Sequence, residues 1–229
     1  KKNQEFCNAY SNFLSKLVKT EFLKHEDVTD IFYHVGESHC LSFAHKILLL
    51  NSAKYKIKPL ITLGAKAFHF REGEPNKYKE ITAKNLKIIP KCSRVFLSFG
   101  EIDCRSGEGF IFHSEKYKLP IGEVIANTVA QYVNWFIEIN SETKHEIHFF
   151  NLPAPVYNKK YSVELNARVA SAVSMFNERL EEKVKNCGYR LVNVFKETVG
   201  EKGFSNGIHH IDDHHLSVSI LKKVTDQLQ

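Results

Sequence analysis

Long apolar runs are missing from this 229-residue chain, and no stretch approaches the roughly 20 residues needed to cross a bilayer. The opening Lys1-Lys2-Asn3-Gln4-Glu5 leads into an amphipathic segment, not the apolar core of a secretory signal. Cysteine is sparse as well. The five (Cys7, Cys40, Cys92, Cys104, Cys187) are odd in number, widely spaced and without a C-x-x-C pair. That pattern excludes a disulfide framework or a structural zinc module and fits reduced thiols in a cytoplasmic setting. Blocks of one charge are absent too: 32 Lys and Arg against 26 Asp and Glu give a net +6, with the lysines scattered along the chain. No motif that reads RNA or DNA accompanies them, so a nucleic-acid partner is excluded. There is no methionine at the start, which points to a processed chain or a piece of a longer protein.

What is present is an ordinary globular composition, 43% hydrophobic and 25% charged. The length suits one α/β domain over residues 1–229, with residues 1–25 forming an N-terminal helix at the junction to a preceding module. Phe6, Tyr10, Phe13, Leu14, Leu17, Val18 and Phe22 recur at helical spacing. Short apolar strands are expected over residues 30–35, 58–64, 94–100, 145–152 and 189–194. Helices are expected over 41–50, 79–86, 122–140, 163–185 and from Leu216 onward, and residues 105–119 read as a long irregular loop. Strands apolar nearly throughout, alternating with helices, belong to a parallel sheet covered on both faces. The expected fold is therefore a three-layer, flavodoxin-like sandwich around five parallel strands. Ligands of such sheets bind at the carboxyl ends of the strands, where Gly36, Gly64 and Gly100 fall.

Two segments at that edge carry chemistry. Gly36-Glu37-Ser38-His39 follows the first strand, and Asp212-Asp213-His214-His215 precedes the last helix. A serine on a tight turn, with an acid and a histidine three residues apart, supplies the parts of a serine nucleophile. Each residue also has a plainer role available, since serine and aspartate cap helices, and Asp213 and His214 compete with Asp212 and His215. The run His209-His210-Ile211-Asp212-Asp213-His214-His215 carries metal-binding side chains, but one short run cannot easily aim four ligands at one ion. Neither a metal nor a cofactor is expected.

These residues resemble the SGNH (GDSL) hydrolase superfamily. Its G-D-S motif is matched by Gly36-Glu37-Ser38, with glutamate for aspartate, and its D-x-x-H motif by Asp212-Asp213-His214-His215. The resemblance implies Ser38 as nucleophile, His215 as general base and Asp212 as its orienting acid. It places Gly64, in Thr62-Leu63-Gly64-Ala65-Lys66-Ala67, beside Ser38 in the oxyanion hole. The third motif, G-x-N-D, departs. Gly100-Glu101-Ile102-Asp103-Cys104-Arg105 has isoleucine where the family's asparagine donates to the oxyanion. Losing one such donor costs about 10²–10³ in rate. Arg105 is the candidate replacement, unless it pairs structurally with Glu101, Asp103 or Glu37.

Glu37, His39, Asp103 and Asn151 are the remaining candidates for contact with substrate, with Tyr157 and Phe70 near the cleft. The G-E-S-H and G-E-I-D-C-R runs look like a branch associated with bacterial surface-polysaccharide biosynthesis. The function this implies is an esterase or O-acyltransferase acting on acyl groups, acetyl above all, of a carbohydrate or polysaccharide. Its partners would be a small-molecule or glycan ester and, for a transferase, an acyl donor such as acetyl-CoA. The alternative, favoured by the missing asparagine, is a catalytically silent glycan-binding module of the same fold.

Overall fold

The computed structural model describes residues 2–19, 28–73 and 75–229. In chain order the elements are α1 (Lys2–Lys19), β1 (Ile31–Gly36), a 3₁₀ turn (Ser38–Leu41), β2 (Ile47–Leu50), β3 (Ala53–Ile61) and a second 3₁₀ turn (Ala67–Phe70). Next come α2 (Lys77–Ile88), β4 (Arg94–Ser98), α3 (Glu101–Cys104), α4 (Phe110–Tyr117), α5 (Ile121–Thr143) and β5 (Glu146–Phe150). The chain ends with α6 (Val163–Asn186), β6 (Arg190–Val192), α7 (Val194–Thr198), two 3₁₀ turns (Glu201–Gly203 and Val218–Ile220) and α8 (Leu221–Asp226).

The strands form one six-stranded sheet in the order β2-β3-β1-β4-β5-β6, parallel except for β2. Residues of the central strands are buried on both sides, as a covered parallel sheet requires. Tyr33, Val35, Val95, Leu97, Ile147 and Phe149 face the layer of α2, α5 and α6. Phe32, Phe96 and Phe150 face the opposite way and pack with Val224 and Leu228 around α8.

The sheet has one strand more than the expected five. Residues 41–50 were expected to be helical because Phe43, Ile47 and Leu50 share a helical face. They instead complete a 3₁₀ turn and then form edge strand β2. Asn51 and Ser52 both adopt left-handed backbone angles, φ 50° and 65°, which is what a two-residue hairpin needs to reverse the chain into β3. Burial then follows a period of two: Leu48 and Leu50 point inward while Leu49 is 54% exposed. The glycine-containing run expected as loop over 105–119 holds α4, anchored by buried Phe110 and Ile111. Phe22, and the expected end of the first helix at residue 25, lie outside the described residues, as does the side chain of Phe6.

Candidate active site

β1 lies between β3 and β4, so the direction of sheet growth reverses beside it. Gly36 is level with Ile61 on one side and Ser98 on the other. Three loops therefore leave the carboxyl edge of the sheet together, carrying Ser38, Gly64 and Gly100 within three residues of their strands. This is the switch point at which open α/β sheets bind ligands. Gly36 is required by crowding, since a Cβ there would stand 2.3 Å from Ser98 Oγ. The neighbouring strand thus holds the turn that presents Ser38 close against the sheet.

The C-terminal segment reaches the same point through a narrow loop. Ile211 N–H donates to His215 O at 2.9 Å and Ser217 N–H to His209 O at 2.8 Å. That closure places His215 Nε2 2.8 Å from Ser38 Oγ. His215 Nδ1 lies 3.0 and 2.9 Å from the two oxygens of Asp212, and Asp212 Oδ1 also accepts the His214 and His215 N–H groups. Asp212, not Asp213, therefore meets the imidazole. Burial works against ionising Asp212, but the hydrogen bond and charge of His215 prevail and hold its carboxyl well below the usual carboxylate range. Burial lowers the pKa of His215 more than Asp212 raises it, so the ring is a neutral acceptor at neutral pH, as a general base must be.

The sequence signalled no role for α1 at this line. Phe13 of α1 is buried and stacks on the His215 ring, with centroids 3.7 Å apart and planes within 11°. Lys16 Nζ donates to Ile211 O at 3.0 Å, tying α1 to the histidine loop. Glu101 sits between Arg105 and His214. It accepts from Arg105 Nε and Nη2, the latter at 2.6 Å, and stands 2.9 Å from His214 Nδ1. Burial disfavours the charge on Glu101, but Arg105 and then His214 keep it ionised, well below its ordinary value. The other imidazoles of the run go elsewhere, His209 to Ser219 and His210 to Ser205.

No family profile and no curated protein sequence matches the chain. Solved structures do. A GDSL-like lipase from Bacteroides thetaiotaomicron superposes with a TM-score of 0.54 at 13% identity, covering 96% of this chain and 94% of that one. An extracellular lipase from Streptomyces rimosus gives 0.53 at 13% identity, covering 87% and 98%. An acetyl xylan esterase gives 0.51 at 13%, covering 86% and 98%. The chain has the SGNH hydrolase fold.

Within the SGNH fold the other expected site residues separate into two groups. Gly64 lies at the edge, with φ 73° and open space where a Cβ would be. Neither its N–H nor that of Ser38 is committed to an acceptor among the described residues. Arg105 is near but paired with Glu101, its Nη1 uncommitted among the described residues. Glu37 is buried against Ser38, its Oε2 2.8 Å from Ser38 Oγ and 3.3 Å from His39 N. His39 is buried beside it, and its ring lies 5.0 Å from that of His215.

Asp103 and Asn151, by contrast, are spent on the scaffold. Asp103 accepts the N–H groups of Ala67 at 2.7 Å and Phe68 at 3.1 Å, fixing the turn after Gly64. Asn151 accepts from Val194 and Phe195 N–H and donates to Asn193, fixing the start of α7. Phe70, expected near the cleft, is fully buried among Phe99, Trp135 and Phe136. Ser38 and His215 are only 8% and 7% exposed. A cavity of about 520 Å³ begins beyond them at Glu101 and His214 and is walled by Leu152, Pro155, Tyr157 and Phe204.

Proposed function

We propose that this protein is a serine esterase or O-acyltransferase of the SGNH superfamily, acting on acyl groups of a carbohydrate through an acyl-serine intermediate. The observation that carries the reading is the unbroken line from Ser38 Oγ to His215 to Asp212. Ser38 Oγ attacks the ester carbon as His215 Nε2 takes its proton, and Asp212 stabilises the resulting imidazolium. Collapse of the tetrahedral intermediate breaks the ester C–O bond, and His215 returns the proton to the leaving alcohol. Water then releases the acyl group in an esterase. A sugar hydroxyl takes it in a transferase, with an activated donor such as acetyl-CoA loading Ser38.

The uncommitted N–H groups of Ser38 and Gly64 are the proposed oxyanion donors, with Arg105 in place of the family's asparagine. The cavity supports a bulky alcohol portion: an acetyl group would fill only a small part of it, while Tyr157, Tyr161 and Phe204 offer aromatic faces and Asn158 a polar one. An acetyl xylan esterase among the structural neighbours accords with a carbohydrate ester. Free cysteines throughout accord with a cytoplasmic setting. Among the described residues no helix is long and apolar enough to cross a membrane.

The test is covalent labelling. The parent protein should gain one fluorophosphonate adduct on Ser38 and turn over p-nitrophenyl acetate, and Ser38→Ala should lose both while keeping its circular dichroism spectrum. Undiminished labelling of Ser38→Ala would overturn the assignment. If the parent neither labels nor turns over, the glycan-binding reading takes its place.

A further inference from the structure

Ser38 Oγ has one proton and two close neighbours, His215 Nε2 at 2.8 Å and Glu37 Oε2 at 2.8 Å. Because His215 Nδ1 faces both oxygens of ionised Asp212, the ring proton sits on Nδ1 and leaves Nε2 as a lone-pair acceptor. The Ser38 hydroxyl must then donate to Nε2. Its other contact, at the same distance, brings two oxygens together, and one of them must carry a proton. A proton on Glu37 satisfies both contacts at once, whereas an ionised Glu37 would compete with Nε2 for the serine proton.

We propose that Glu37 is a further catalytic residue, working as a carboxylic acid that donates to Ser38 Oγ and turns the serine proton toward His215. The proposal rests on the acyl-serine reading of the site. It gives a chemical meaning to glutamate at this position, since the longer side chain folds back onto the neighbouring hydroxyl while still accepting the His39 N–H. When Glu37 ionises, it becomes a stronger acceptor than the imidazole and takes the serine proton away from the base. No bond to carbon is involved; one proton changes its hydrogen-bond partner.

The surroundings support a protonated Glu37. Burial is the main influence, and the negative charge of Glu101 adds to it, pushing the carboxyl up to about 7. Ser38, His215 and Arg105 pull the other way. The remaining titratable groups around it are His39, whose Nε2 lies 3.9 Å from Glu37 Oε1, Cys40 on the same turn, Tyr132 of α5, and His34 of β1, which lines the same small cavity. Burial holds His34 and His39 neutral, at about 3 and about 4, so neither supplies a cation to ionise Glu37.

The experiment is the pH dependence of fluorophosphonate labelling and of kcat/KM for p-nitrophenyl acetate. Both should fall above neutral pH by about tenfold per pH unit, because only the protonated fraction of Glu37 is competent. In Glu37→Gln the carboxamide N–H donates at every pH, so the alkaline limb should disappear whatever the absolute rate. A parent profile flat to pH 9, or an unchanged alkaline limb in Glu37→Gln, would overturn the proposal. Infrared difference spectra read the proton without turnover: a protonated-carboxyl band should vanish as pH rises through neutrality and be missing from Glu37→Gln. If Ser38 never labels but that band titrates, the acyl-serine reading fails while the protonation of Glu37 stands. If the band is absent from the parent, the assignment of Glu37 fails regardless of labelling.

Discussion

Replacing Phe13 by alanine should disable the site although all six strands separate it from His215 along the chain. Among the described residues Phe13 is the one buried apolar side chain of α1, and its ring lies flat on His215. Truncating a buried phenylalanine costs about 3–5 kcal/mol. Because the rest of the core does not depend on α1, we expect that cost to appear as undocking of the helix. At about 1.4 kcal/mol per tenfold, the ratio of docked to undocked helix falls by about two to nearly four orders of magnitude. An 18-residue helix released into water is marginally stable, so amide exchange across α1 should speed up while exchange in β1, β4 and β5 stays slow. The function should change in a defined direction. Burial is what lowers the pKa of His215, so admitting water to its face raises that pKa and moves the acid limb of the rate profile to higher pH. Phe13→Leu, which retains apolar cover without the flat face, should give a smaller shift. Unchanged exchange in α1 together with an unmoved acid limb would refute the reasoning.

The parallel core was legible because β1, β4 and β5 are apolar on both faces, a pattern no amphipathic helix shares. The edge of the sheet was not. Phe43, Ile47 and Leu50 satisfy a helical period while Leu48 and Leu50 satisfy a strand period, and only the left-handed pair Asn51-Ser52 decides between them. The site divides in the same way. Ser38, Asp212 and His215, which the structure brings within hydrogen-bond reach in one line, stood out because a serine just after a strand-end glycine and a D-x-x-H run are short local patterns. Glu101 was visible only as one salt-bridge partner for Arg105, and its contact with His214 joins residues 113 apart in the chain. Phe13 looked like any core residue of an amphipathic helix. Asp103 and Asn151 satisfy backbone N–H groups of the following turns, and a polar side chain just beyond a strand end either faces ligand or does this, which local sequence does not distinguish.

Asn151→Ala tests the scaffolding role, because it leaves the buried N–H of Val194 and the half-buried N–H of Phe195 without their acceptor. At about 1–3 kcal/mol per orphaned group, the denaturant midpoint should fall clearly while per-molecule labelling of Ser38 in the folded protein is retained; a midpoint within error of the parent would refute it. Arg105 poses the finer question, whether its guanidinium donates to the oxyanion or only neutralises Glu101. Arg105→Ala should lower kcat by about 10²–10³ if a donor is lost, but it also strips Glu101 of its main counter-charge and leaves that carboxylate to His214 alone, an imbalance that would slow the reaction by itself. Glu101→Gln separates the two effects, since it removes that carboxylate and leaves Arg105 free. If Arg105 is only a counter-ion, the double variant Arg105→Ala/Glu101→Gln should recover what Arg105→Ala loses, because no uncompensated charge remains. If Arg105 is the replacement donor, the double variant stays as slow as Arg105→Ala, while Glu101→Gln alone keeps most of its rate. Recovery in the double variant would therefore remove Arg105 from the oxyanion hole and leave the N–H groups of Ser38 and Gly64 as its only proposed donors.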